Sequence, residues 1–387
     1  MADPKVRFRQ NDGSNYPAWR TVTIGEILEK ESVPISVKKD ELYREIGIRS
    51  HGKGLFHKEP VQGIELGNKR VFEIVPDCLV VNIVFAWERA VSKTTIDEVG
   101  MIASHRFPMY KPKSGILDLD YIVLYLITDK GKQLLELASP GGAGRNRTLG
   151  QKEFANSKLP LPCYEEQIKI ATLLTDMDEI INSTEDEISN LEMQRKYALK
   201  RIFSQEVRFK NDDGTDFPDW REATIRDCLY YEQPGKYIVH SDTYDNQYTT
   251  PVLTANKGFI LGYTNETDGH YTKGDVIIYD DFTMDMKYVN FEFKVKSSAI
   301  KMLTPKDNSI NLYFMYGLLC EKDLHQDTHT RSYISMVEPM TVSIPCTEEQ
   351  RLIADFLSDF DEAIAAAKRE LELWKELKKG LLQQMFV

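Results

Sequence analysis

This chain repeats itself twice, at two different intervals, and that constrains its fold more than any other feature. Val6 to Leu28, VRFRQNDGSNYPAWRTVTIGEIL, aligns without gaps on Val207 to Leu229, VRFKNDDGTDFPDWREATIRDCL. About half the positions are identical, including the Asp-Gly, aromatic-Pro and Trp-Arg steps. A second pair begins at Pro162, PCYEEQIKIATLLTDMDEII, and at Pro345, PCTEEQRLIADFLSDFDEAI. The first pair is offset by 201 residues and the second by 183, so each half is a shared frame around its own insert. The inserts, residues 29–155 and 230–338, show no mutual similarity in these windows. The first helical stretch runs through RIFSQE straight into Val207, and the second runs to QMFV. Placing that second end beside residues 1–6 completes a closed two-fold pattern, a pseudo-dimer within one chain.

The segments after Pro162 and Pro345 carry the clearest structural signal. Leu174, Met177, Ile181, Thr184, Ile188, Leu191, Arg195, Ala198 and Ile202 alternate spacings of three and four, and Leu357, Phe360, Ile364, Ala367, Leu371, Trp374, Lys378, Leu381 and Met385 do the same. That is a heptad seam. The paired glutamates at each start complement the positive end of a helix dipole. About 36 helical residues at 1.5 Å each span on the order of 54 Å, enough for a spacer. The two-fold relation predicts antiparallel pairing, with Arg195 and Lys378 at core-type positions either setting register or leaving a face open to a partner.

The inserts read as mixed α and β. Strands are expected at Cys78 to Trp87, Met101 to Tyr110, Gly274 to Tyr279 and Val289 to Val295, and helices at Leu119 to Ala138 and Asn311 to Leu319. Each insert ends in a polar basic loop shortly before its Pro-Cys helix start: GGAGRNRT at 141–148 and THTRSY at 328–333. A rigid pair of unlike reading modules suits a two-part, periodic target such as duplex DNA, whose half-sites recur about every 34 Å. Arg145, Arg147 and Arg331 are candidates for guanine edges or phosphates, and Asn146, His329 and Tyr333 for polar or stacking contacts.

Catalytic patterns are sparse. GGAGRNR lacks the Gly-Lys-Ser/Thr ending of a phosphate loop, and HQDTH, with His325 and His329, lacks the glutamate of a zinc protease helix. Asp280 and Asp281 followed by Glu292-Phe293-Lys294 resemble a magnesium nuclease layout, in which Asp281 and Glu292 hold metal and Lys294 steadies charge. The plainer reading is a hairpin with Glu292, Lys294 and Lys296 solvated on one face. A coiled-coil scaffold that never touches DNA is a further alternative. The net charge of −11 weighs against a free-standing protein that grips phosphates through a basic surface. Five scattered cysteines without a CxxC pair indicate reduced, buried thiols, and the absence of a long apolar run or signal core indicates a cytoplasmic protein.

The order Trp19, Ile24-Gly25-Glu26-Ile27, a variable domain, LPLPCYEEQ at Leu159 to Gln167 and a long helix, with the whole order repeated, resembles the specificity subunits of type I restriction-modification enzymes. Arg226-Asp227-Cys228 replaces Gly25-Glu26-Ile27 in the second copy, and Cys163 and Cys346 stand where the family often has proline. The resemblance implies an α+β fold with two globular mixed α/β target-recognition domains joined by two long antiparallel coiled-coil helices. Its divisions are 1–158, a first recognition domain with its leading segment; 159–206, a central conserved helix; 207–341, the second recognition domain with its leading segment; and 342–387, a C-terminal conserved helix. Each domain then reads half of a bipartite double-stranded DNA target, and helix length sets the gap between halves. The resemblance also implies that the chain itself carries no catalytic residues, metal or cofactor. It further implies that two modification subunits supply S-adenosylmethionine chemistry on adenine and that restriction motor subunits use ATP and magnesium.

Overall fold

In the computed structural model, which describes residues 4–141, 147–256, 258–322, 324 and 331–386, each Glu-Glu-Gln triplet divides its side chains among three tasks. Glu165 and Glu348 stay exposed in the first helical turn, where the dipole favours a negative charge. Glu166 is fully buried and accepts hydrogen bonds from Arg7 at 3.0 and 2.8 Å and from the Trp19 indole at 3.0 Å. Glu349 repeats this with Arg208 at 3.2 and 2.7 Å and Trp220 at 3.0 Å. Gln167 accepts the N–H of Asp118, at the cap of the insert helix, and donates to the carbonyls of Ile116 and Pro162. Gln350 does the same for Asn311, Ser309 and Pro345. The motif therefore ties leading segment, insert helix and long helix together, which explains why it occurs twice.

The leading segments are short turns pinned to those helices. In each, an aspartate accepts the N–H two residues on, Asp12 from Ser14 and Asp213 from Thr215. The residue between is Gly13 or Gly214, at φ +85° and +82°, where a side chain would be strained.

The chain divides into two compact units, Met1–Ser183 with Glu370–Val387, and Thr184–Arg369. The first long helix, Tyr164–Phe203, has 40 residues and the second, Thr347–Met385, has 39, about 60 Å each at 1.5 Å per residue. Both units contain part of each helix. In the first unit Leu174 and Met177 share a core with Met385 and Phe386, and the Phe386 ring packs on Tyr121 and Tyr125. In the second, Leu199 and Ile202 share a core with Ile353 and Leu357. Within that unit Arg195 pairs with Asp361 and Glu192 with Lys368, so numbers fall on one helix as they rise on the other. The pairing is antiparallel. Of the seam positions, Leu174, Met177, Ile181, Ile188, Leu357, Ile364 and Leu371 are buried, while Leu191, Phe360 and Trp374 are half-buried.

The unlike inserts are built on like sheets. In the first unit the antiparallel order is Leu28–Glu31, Met109–Pro112, Leu79–Val81, Val91–Lys93. In the second it is Leu229–Glu232, Ile300–Pro305, Val276–Asp280, Met286–Val289. Sequence comparison misses this because a sheet core needs only apolar side chains of suitable volume at alternating positions. A second sheet differs: it is all antiparallel in the first insert but includes a parallel pair, Thr250–Leu253 with Lys294–Val295, in the second.

Several expected elements are divided. The helix expected over 119–138 is two, Leu119–Ile127 and Asp129–Leu137, because Thr128 turns extended and its hydroxyl accepts the Gly131 N–H. The strand expected over 101–110 becomes Ile102–Ser104 and Met109–Pro112, and that over 289–295 becomes Met286–Val289 and Lys294–Val295. The one expected over 78–87 stops at Val81 and turns. All five cysteines are free, but only Cys78 and Cys228 are buried; Cys163, Cys320 and Cys346 are half-buried. Among the described residues no helix is long and apolar enough to cross a membrane.

Candidate nucleic-acid interface

In each unit the described C-terminal end of the basic loop, from Arg147 to Leu149 or from Arg331 to Tyr333, docks on the turn that follows the central strand of the larger sheet. After Leu79–Val81, residues 82–90 form that turn, and the Leu149 N–H donates to the Ile83 carbonyl at 2.8 Å. After Val276–Asp280 the turn begins at Asp281, and the Ser332 N–H donates to its carbonyl at 2.9 Å. Leu149 and Ser332 are 183 residues apart, the interval of the helical repeat. The two docking residues thus stand at the same distance before their helix starts.

Each docked loop sets an arginine over an aromatic ring of its turn. The Arg147 guanidinium lies 5.8 Å from the Trp87 ring centre, and that of Arg331 lies 5.8 Å from the Phe282 ring centre. A guanidinium attracted to a ring face is held by about 0.5–1 kcal/mol at an exposed site. Its nitrogen fork remains able to bond two acceptors in one plane, as a guanine edge or a phosphate presents. Trp87 is itself fixed, its indole donating to the Val84 carbonyl at 3.1 Å. Phe282 is exposed, and Asp280 accepts the N–H groups of Phe282 and Thr283 to shape the turn.

Of the six residues expected to meet DNA, the structure places three. Arg147 is half-buried and Arg331 is exposed. Tyr333 requires correction: it has no exposed surface, and its ring packs edge-on against Tyr231 and Tyr279 in the core. Burial pushes its phenol pKa up, and a base cannot stack on it. Burial also pushes the Tyr279 phenol up to about 12, so its hydroxyl stays protonated beside the Ser332 hydroxyl at 2.8 Å. Arg145, Asn146 and His329 lie outside the described residues, as does His325.

The nuclease layout is not assembled. Lys294 is fully buried, paired with Glu266 at 2.6 Å and donating to the Asp268 carbonyl at 2.7 Å. The hairpin reading also fails at this residue, since Lys294 is not on a solvated face. Glu292 is exposed, and Asp281 is buried against Lys301 at 3.1 Å. Lys294 and Asp281 thus have structural partners of their own, and neither is grouped with Glu292. His240, Glu266 and Asp268 could converge on a cation, but the Lys294 ammonium already neutralises Glu266.

Trp87 and Phe282 were not singled out by the sequence. The available signal was indirect: Leu149 and Ser332 both stand thirteen residues before the proline of their helix motif.

The family described as the type I restriction modification DNA specificity domain matches residues 17–193 and 218–373. The type I restriction enzyme EcoR124I/EcoR124II specificity subunit of Escherichia coli is 42% identical over 176 residues, which span 42% of this chain and 43% of that protein. That match therefore covers under half of either. The MjaVIII specificity subunit of Methanocaldococcus jannaschii is 22% identical over 414 residues, spanning 97% of this chain and 94% of its own. The crystal structure of the type I restriction-modification system S subunit from M. genitalium superposes with a TM-score of 0.69 at 14% identity, covering 100% of this chain and 99% of that one. At that identity the likeness is one of fold.

Proposed function

Because the chain belongs to the type I restriction modification DNA specificity domain family, we propose that it selects the DNA sequence on which a type I restriction-modification enzyme acts. It is a recognition subunit with two recognition domains and is not itself the catalyst. The observation that carries this reading is the pair of arginines, Arg147 and Arg331, each over an aromatic ring in the turn that follows the same strand of a like sheet in its own unit. Two unlike loops in like frames suit two unlike half-sites. DNA, modification subunits and restriction subunits are its partners. We assign two modification subunits, one for each half of the pseudo-dimer, with S-adenosylmethionine in those subunits and ATP and magnesium in the motor.

Charge constrains how it works. Residues 1–150 carry 22 basic and 19 acidic side chains, net +3, leaving −14 on the rest of a chain at −11. Nonspecific affinity comes largely from phosphate neutralisation, which this balance does not supply. The partners therefore clamp the backbone while this chain offers base-edge contacts. Alone it binds DNA weakly; in the assembled enzyme binding is tight and salt-sensitive.

The test is a map of methylated adenines in cells expressing this chain with its modification subunit. A two-part motif, with one adenine in each part, is expected. A single continuous motif, or an unchanged pattern when the chain is deleted, would overturn the reading. A purified chain that cleaves DNA with magnesium alone, and stops doing so on Glu292→Ala, would instead favour the nuclease.

A further inference from the structure

We propose that Asp281 is a positioning residue for recognition of the second half-site, acting through the Arg331 loop; this rests on that loop being a DNA-reading element. The carboxylate is 2% exposed, and one oxygen accepts the N–H groups of Ser332 at 3.0 Å and Tyr333 at 2.8 Å. The Asp281 carbonyl accepts the Ser332 N–H at 2.9 Å and the Ser332 hydroxyl at 2.8 Å. Three groups of the two residues following Arg331 therefore converge on one aspartate. The other carboxylate oxygen meets the Lys301 ammonium at 3.1 Å, which in turn donates to Gln233 at 3.1 Å. On the solvent side the same oxygen lies 3.8 Å from the Arg331 guanidinium, which also rests over Phe282. A buried charge held by a second buried charge does not move with solvent, so Arg331 leaves the core from a fixed point.

Among the described residues the first unit does not have this device. Ile83 stands where Asp281 does, and its carbonyl accepts the Leu149 N–H at 2.8 Å. With no carboxylate there, the Arg147 loop takes its anchorage from the backbone and from Trp87. The pseudo-dimer thus reads its two half-sites with loops of unequal stiffness, and loss of Asp281 affects only one of them.

Removing Asp281 alone would strand Lys301, which is 1% exposed, so the test removes both charges together. In the complex with modification subunits, D281L/K301M exchanges the ion pair for apolar groups and removes the carboxylate acceptor of the Ser332 and Tyr333 N–H groups, leaving only the backbone carbonyl for Ser332. D281N/K301M keeps an amide oxygen for the two N–H groups. The D281L/K301M complex is expected to methylate sites with altered second half-sites, discrimination there falling about tenfold or more, while first half-site discrimination is unchanged. The D281N/K301M complex should restore discrimination. Unaltered second half-site discrimination in D281L/K301M would overturn the proposal, as would equal relaxation of both half-sites. Arg331→Ala separates this from the underlying reading: if it too changes nothing, the loop is not a DNA element. Hydrogen exchange on the unaltered complex gives a readout independent of how the variants fold. The Ser332 and Tyr333 amides should be strongly protected, and exchange as fast as in an open loop would sink the clamp.

Discussion

Arg195 grips Asp361 of the opposing helix through two contacts, Nε to Oδ1 at 2.7 Å and Nη2 to Oδ2 at 2.8 Å. In the other unit Lys378 pairs with Asp178, and both members are displaced by 183 residues from the first pair. Each charged residue at a core-type position is therefore met by an acid on the opposing helix, the arrangement expected of a register-setting pair. The Tyr313 hydroxyl donates to the same Asp361 carboxylate at 2.6 Å, linking the helix pair to the insert helix.

Arg195→Ala should destabilise the second unit by about 2 kcal/mol, since it leaves a partly buried carboxylate with only a phenol. The charge exchange R195D/D361R should recover more than half of that loss. Urea denaturation of the four members of the cycle gives the coupling, and a coupling near zero would mean the pair contributes nothing to register.

Val6 donates its N–H to the Gln384 carbonyl at 3.3 Å, and Val207 donates to Arg201 at 3.2 Å in the repeat-related positions. One bond joins distant parts of the sequence and the other joins neighbours. A chain reopened between Glu206 and Val207, with its present ends joined by a short flexible linker, should therefore fold with a near-native melting temperature. Phe386→Ala in the unpermuted chain should cost about 3 kcal/mol, because its ring is buried between Tyr121 and Tyr125. A permutant that fails to fold would show that the two junctions are not equivalent.

Glu166→Ala should cost about 3 kcal/mol by removing the buried carboxylate that Arg7 and the Trp19 indole share. Glu349→Ala should cost a similar amount through Arg208 and Trp220. Calorimetry of the two variants should show different portions of the transition shifting. A loss from one of the two that is within error would contradict the equivalence of the motifs.

Burial opposes ionisation of Glu266, but the Lys294 ammonium and the His240 and Ser241 N–H groups outweigh it and hold the carboxyl below its usual 4.5. The folded value is lower than the unfolded one, so this contribution is complete above that pH and is lost as pH falls through the folded value. Glu266→Gln should show a shallower acid limb in denaturation midpoints. Its stability at neutral pH should fall by about 3 kcal/mol, because Lys294 loses its counter-charge. An unchanged acid limb would rule out this pair as a contributor.

Arg147→Ala should relax the first half-site and Arg331→Ala the second, each by about 1–3 kcal/mol of discrimination at one base pair. Trp87→Leu should act in the same direction as Arg147→Ala but more weakly, because it removes only the platform. Adenine-methylation maps of each complex measure all three. Relaxation of both half-sites by a single arginine substitution would contradict independent reading.

By itself the sequence determined the frame. Both repeats, their unequal intervals, the heptad seams and the arginine-bearing loops before each Pro-Cys start are patterns of identity and period, readable without coordinates because they are set by spacing along the chain. Tertiary structure decided which of those residues have work outside the core. Tyr333 lies two residues from Arg331 yet is buried against Tyr231 and Tyr279. Lys294 alternates with exposed Glu292 yet is buried, because its strand is covered on both faces and Glu266 neutralises it. Trp87 and Phe282 acquire a role only when a loop many residues away docks beside them. The likeness of the two sheets was also invisible in the sequence, since packing constrains volume and polarity at each position and leaves identity free. Local period survives in a sequence; long-range juxtaposition does not, because it is fixed by the sum of many weak contacts among residues far apart in the chain.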